Sequence, residues 1–195
     1  MKTLLATAGA FALLTTSMTN AADTNPAADA ISPLLAPWVG PYGGVPPFDQ
    51  VKVVDLKPGL ETGMAQQLAE IDRIANDPAA PTFENTIAAM ERAGRTLDRV
   101  GTVYGVYSST LNDEAVQAVE REMAPKLAAF SDQITQNPQL FERIAKVYET
   151  RETSGLTPEQ QRLTWVYYTN FVRAGAKLDA AGKKRTAEIN QELAR

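Results

Sequence analysis

The chain has 195 residues, 44% of them apolar and 22% charged, with a formal net charge of −4. That length and balance describe one globular domain or two small ones, and so mildly acidic a chain is a poor electrostatic binder of nucleic acid. The sequence holds neither Cys nor His, which excludes disulfides, thiolate metal sites, Cys nucleophiles, Ser-His-Asp triads and imidazole-ligated zinc within it.

Residues 1–21 have the form of a secretory signal peptide. Lys2 and the free amine make a positive start, an apolar stretch runs from Leu4 to Leu14, and Thr19 and Ala21 put small residues at −3 and −1. Cleavage after Ala21 is expected, with Ala22 as the alternative. The apolar run is shorter than the roughly 20 residues a membrane span needs, and no later segment reads as one. Losing Lys2 leaves 18 basic against 23 acidic residues. The expected product is periplasmic or secreted and free of the membrane.

Residues 22–54 read as an extended arm. Pro37-Trp38-Val39-Gly40-Pro41-Tyr42-Gly43-Gly44-Val45-Pro46-Pro47-Phe48 cannot form a regular helix. The stretch lacks PxxP spacing, so an arm laying Trp38, Tyr42 and Phe48 on the protein's own body is expected rather than a proline-rich ligand. Val51-Lys52-Val53 is the best strand signal, and it is short.

From Asp55 to Arg195 the pattern is helical, and about six helices are expected. Leu60, Met64, Leu68, Ile71 and Ile74 draw one apolar stripe, with Pro58 placed in the first turn and Asp77-Pro78 and Pro81 as the stop. Thr82 caps a second helix carrying Ile87, Met90, Leu97, Val100, Tyr104 and Tyr107, with Glu91 and Arg95 as an i,i+4 pair. A third begins at Asn112 or Asp113, carries Val116, Val119, Met123, Leu127, Phe130 and Ile134, and should kink at Pro125. Asn137-Pro138 opens a fourth with Leu140, Phe141, Ile144, Val147 and Tyr148, closed by Gly155. Thr157-Pro158-Glu159-Gln160 is a capping box for a fifth, with Leu163, Val166, Tyr167 and Val172. The sixth starts near Asp179, carries Ile189 and Leu193, and meets no Gly or Pro stop, so it reads as truncated at Arg195.

Few residues are candidates for chemistry. Glu188 and Glu192 lie one turn apart and could form an acid/base couple or half of a di-metal carboxylate site. The usual helical di-metal signature needs a Glu-x-x-His, so a solvated face near Lys184 and Arg185 is favoured. Glu120 and Glu122 point to different faces. Of Tyr167 and Tyr168, one is expected in the core and the other at the surface. Gly40-x-x-Gly43-Gly44 lacks the Lys-Ser/Thr ending of a phosphate loop. Residues 173–195 hold six basic and three acidic groups, a weak patch. No catalytic, cofactor-binding or metal-binding residue is assigned.

Several segments resemble the M3 zinc metallopeptidases, the thimet oligopeptidase family. They are Ser32-Pro33-Leu34-Leu35, Gly44-Val45-Pro46-Pro47-Phe48-Asp49, Asp55-Leu56-Lys57-Pro58, Pro81-Thr82-Phe83-Glu84-Asn85-Thr86-Ile87, Arg121-Glu122-Met123-Ala124-Pro125-Lys126-Leu127, Asn170-Phe171-Val172-Arg173-Ala174-Gly175-Ala176 and Glu188-Ile189-Asn190. Together they cover roughly residues 31–195 in one register, and the arm with Leu163-Thr164-Trp165-Val166-Tyr167-Tyr168 is most similar to the exported peptidyl-dipeptidase and oligopeptidase A type.

The resemblance implies an all-α N-terminal module that forms part of the wall and cover of a channel admitting short peptides. It implies one zinc in the full-length enzyme, held by an HExxH helix and a later Glu, with the HExxH Glu as general base. Those elements have no counterpart in this His-free chain, so the chain alone is expected to be inactive, to carry no cofactor, and to lack its C-terminal catalytic region. The alternative is a free-standing exported helical binding or interaction protein that reuses the module.

Overall fold

A computed structural model describes residues 32–194. The expected signal peptide, residues 1–21, and the start of the arm, residues 22–31, lie outside the described residues. The described residues form an all-α fold with six helices of 13 residues or more and one of five. These are α1 (Val53–Ala75), α2 (Ala88–Arg92), α3 (Arg95–Thr110), α4 (Glu114–Thr135), α5 (Pro138–Thr150), α6 (Pro158–Arg173) and α7 (Ala180–Leu193). A π-helical turn, Phe83–Ile87, leads directly into α2.

The helix starts follow the local chemistry of the sequence. Asp113, Asn137, Thr157 and Asp179 each accept a hydrogen bond from a backbone N–H of the first turn, at 2.7–3.3 Å. Each satisfies a donor that the helix itself leaves free. At Thr157 the bond is reciprocal, because the Thr157 N–H donates to Gln160 Oε1 at 3.0 Å. Gly155 does not close α5, which ends at Thr150 with Arg151 as its cap; its left-handed φ of 73° lies in the loop beyond.

The helices bury two hydrophobic clusters. The first gathers Leu34, Leu56, Leu60, Val100, Val103, Val116 and Met123. The second gathers Ile71, Ile87, Leu140, Ile144, Val147 and Phe171. α1 serves both: Leu60 and Met64 lie in the first, Ile71 and Ala75 in the second. Full burial of such a side chain contributes roughly 1.5–3 kcal/mol, so the 23-residue α1 is the beam across which the two cores are joined.

Several expectations need correction. The second helix is not continuous, because the chain turns at Ala93-Gly94 between α2 and α3. Gly94 takes φ 82°, a left-handed conformation that favours glycine, and a Cβ there would lie 2.5 Å from Gln67 Cδ, so a larger residue would be strained and would displace the Gln67 side chain. The turn sends Ile87 and Met90 to one cluster and Val100 and Tyr107 to the other. It also separates Glu91 from Arg95, and Glu91 accepts from Tyr167 instead.

Val51-Lys52-Val53 is not a strand. Val51 is buried, the Lys52 N–H donates to Asp55 Oδ2 at 2.8 Å, and Val53 opens α1. That earlier start puts Pro58 in the second turn rather than the first. Its missing N–H leaves the Val54 carbonyl without an intrahelical partner, at a residue that is 76% exposed.

Of the three expected anchors of the arm only Trp38 packs on the first cluster; Tyr42 is fully exposed and Phe48 is 41% exposed, and Leu34 and Val51 are the buried residues of the arm. The Tyr107 hydroxyl donates to the Val51 carbonyl at 2.9 Å. Between these anchors the arm is not simply extended. It folds back through a short 3-10 turn, Pro41–Gly43, closed by a bridge between Val39 and Val45.

Candidate functional site

The segment Pro81–Ile87 is a densely hydrogen-bonded joint. Asn85 organises it. Its Oδ1 accepts from the Thr82 N–H at 2.7 Å and from Thr86 Oγ1 at 3.0 Å, and its Nδ2 donates to the Ala80 carbonyl at 3.0 Å. Thr82 Oγ1 accepts the Asn85 N–H at 3.2 Å, completing a capping box. Thr86 and Ile87 are fully buried behind it. The run Thr82-Phe83-Glu84-Asn85-Thr86 thus has a physical reason for its residue types: one amide side chain ties the linker, the cap and the core together.

The linker ahead of this turn is held by Arg143 of α5. Arg143 is 6% exposed, and its Nη1 donates to the carbonyls of Asp77 at 2.7 Å and Ala79 at 3.0 Å. Its Nη2 lies 3.5 Å from Asp77 Oδ2. One nitrogen, Nη1, thus serves both linker carbonyls, and the guanidinium charge lies beside the Asp77 carboxylate. Two open grooves flank the joint. One is lined by Glu70, Arg73, Ile74, Asp77 and Arg92, the other by Phe83, Val147, Thr150, Leu156 and Gln160. Their walls carry mixed charge or methyl groups, without a convergent set of catalytic groups.

The carboxylates noted in the sequence are engaged in surface ion pairs or exposed. Glu188 lies 3.4 Å from Arg185 and Glu192 is exposed. Glu122 meets Lys57 and Lys126, and Lys126 also meets Glu61 at 2.6 Å, so this network joins α4 to α1. Hydrogen bonds from Lys57 and Lys126 hold the Glu122 carboxyl below its ordinary range. Glu120 accepts from Asn112 at 3.1 Å, apart from that network.

Tyr167 and Tyr168 do not divide into core and surface, for both are half-buried. Tyr167 donates to Glu91 at 2.5 Å, and burial, then Glu91, raises its pKa. Tyr168 stacks on Tyr148 at 4.0 Å and on Phe141 at 5.7 Å, with Arg151 over the far face of Tyr148. Gly40 and Gly44 flank the three-residue 3-10 turn that contains Gly43, not a helix start.

Two groups were missed by sequence reasoning. Arg143 was visible as a cation three residues after Leu140 and four before Val147, on the apolar face of α5. Asp132, 9% exposed on α4, carries no such signal; its partner Asn190 comes from α7, 58 residues away.

Among the described residues no donor set suited to zinc is present. The chain has no His or Cys, and among the described residues no three acidic groups gather where a metal could sit. The residues here therefore do not fit the metal that the resemblance implies.

Comparison with known proteins places these joints in context. No family model matches the chain. The dipeptidyl carboxypeptidases of Salmonella typhimurium and Escherichia coli are each 36% identical to it, over 84% of this chain and 24% of theirs. Over that stretch the chain is similar to these M3 peptidases. A probable cytosolic oligopeptidase A of Arabidopsis thaliana is 22% identical over 76% of the chain and 21% of its own length. The chain thus spans about a quarter of the length of the curated relatives it matches. Among the described residues no helix is long and apolar enough to cross a membrane.

Proposed function

We propose that this chain is the N-terminal part of an exported M3-type zinc peptidase that releases dipeptides from short peptides. In this reading its helices form part of the wall and cover of the substrate channel. The observation that carries it is the 36% identity over 84% of this chain and only 24% of the two dipeptidyl carboxypeptidases. The metal and its ligands belong to the rest of such an enzyme, since an HExxH helix cannot be written without His. This chain's contribution is then mechanical: it positions a wall, and it supplies neither a nucleophile nor a base. The leader-like residues 1–21 support export to the periplasm or beyond.

The genomic sequence beyond the codon for Arg195 tests the reading. It should hold a frame, continuous or one shift away, that encodes HExxH. A stop codon followed by unrelated coding sequence in every frame would overturn the proposal and favour the free-standing helical binding protein.

A further inference from the structure

We propose that α7 is a strap held on α4 by a polar latch, and that it opens as a unit about the segment Ala174–Leu178 while α1–α6 stay packed. Unlike the six other helices, α7 has no buried residue. Its apolar side chains are not clamped: Ile189 is 39% exposed and Leu193 81%. The hydrogen bonds that cross from it to α4 and its cap are polar ones. Asn190 Nδ2 donates to Asp132 Oδ1 at 2.7 Å, and Lys183 Nζ donates to the Gln136 carbonyl at 3.1 Å.

The latch is built around an unsatisfied group. Asp132 is nine-tenths buried, and its Oδ2 has no hydrogen-bond partner. A carboxylate oxygen held away from water without a donor is costly, and separation of α7 from α4 relieves that cost by admitting water. The closed seam therefore carries its own opposing force, which an apolar helix seam would not.

The hinge is equally defined. Gly175 takes φ 94°, a left-handed conformation that favours glycine, and a Cβ there would lie 2.9 Å from Leu178 Cδ1. The Gly175 carbonyl accepts the Leu178 N–H at 2.9 Å, forming a tight turn before the Asp179 cap. Ala176, by contrast, is buried in the second cluster. The fixed end of the turn thus belongs to the core and the free end to α7. Opening uncovers Asp132 and the part of Ile189 that the closed seam covers.

Native-state hydrogen exchange on the whole chain, read by mass spectrometry, tests this. Peptides within residues 180–193 should exchange together and at least about tenfold faster than those within residues 95–110, as separate opening units do. Asn190→Ala should speed exchange of α7 a further several-fold and leave α1, α3 and α5 unchanged. The double variant Asp132→Leu/Asn190→Leu, which makes the seam apolar, should slow α7 exchange below that of the unaltered chain. Equal protection of α7 and α3 in the unaltered chain would overturn the proposal. So would a rise in exchange across all helices in Asn190→Ala, or no slowing in a double variant whose α1 and α3 remain protected.

Discussion

Arg143→Met is the most informative single change in the core. It keeps an unbranched apolar stem and removes the guanidinium that binds the Asp77 and Ala79 carbonyls and faces the Asp77 carboxylate. A hydrogen bond involving a charged group contributes about 1.5–3 kcal/mol, and breaking a buried ion pair by removing one partner costs about 3–5 kcal/mol. Both figures need discounting here. Ala79 is at the surface, so its carbonyl regains water, and the Asp77 side chain is 30% exposed. The net loss should be about 2–4 kcal/mol, with the charged-bond range as its basis. For a chain of this size that is a fall in Tm of roughly 5–15 °C. Urea unfolding followed by circular dichroism measures it directly. Arg143→Lys should recover part of the loss, because an ammonium keeps the charge and can donate to the carbonyls that Nη1 serves. An Arg143→Met protein within about 0.5 kcal/mol of the unaltered chain, the range of an ordinary surface substitution, would refute the claim that this side chain holds the linker.

Gly94→Ala should cost about 1–3 kcal/mol through its left-handed φ alone, and more if Gln67 cannot move; thermal unfolding measures it, and a neutral result would show that the α2–α3 turn is not conformationally strict. The raised pKa of Tyr167, caused by burial and then Glu91, gives a stability contribution complete below its unfolded value near pH 10 and lost above it. Urea midpoints should therefore fall as pH rises beyond about 10, and less steeply in Tyr167→Phe; identical slopes in the two proteins would contradict the assigned environment. Expressed with its leader in a bacterium, the protein should appear outside the cytoplasm beginning at Ala22, and N-terminal sequencing that found Met1 on a cytoplasmic product would refute the export reading.

Local chemistry was the legible part of this sequence. Asp113, Asn137, Thr157 and Asp179 cap their helices because a side-chain oxygen placed before an amphipathic stretch has one obvious use. The apolar stripes of α1, α4 and α5 mark their buried faces for the same reason. The break at Gly94 was hidden because the stripe stays in register across it: Met90 and Leu97 are seven apart, and periodicity alone cannot tell a continuous helix from two helices feeding different cores. The arm misled in a different way. Its large aromatics were natural anchors, yet Leu34 and Val51 hold it, since Tyr42 sits in a left-handed conformation at the tip of a reversed loop. Asp132 and Asn190 were invisible because their meeting depends on how two distant helices cross. As for chemistry, the absence of His and Cys narrowed the candidates to carboxylates, of which Glu122 and Glu188 are ion-paired and Glu192 is exposed.

The central claim is that this chain is a positioning part of a peptidase whose metal site lies elsewhere in such an enzyme. Zinc content and dipeptide release, measured on the purified chain beside the full-length dipeptidyl carboxypeptidase of Escherichia coli, test it most directly. The chain should hold no zinc after dialysis and release no dipeptide, while the relative does both. One zinc per chain together with dipeptide release from the purified chain alone would contradict the account.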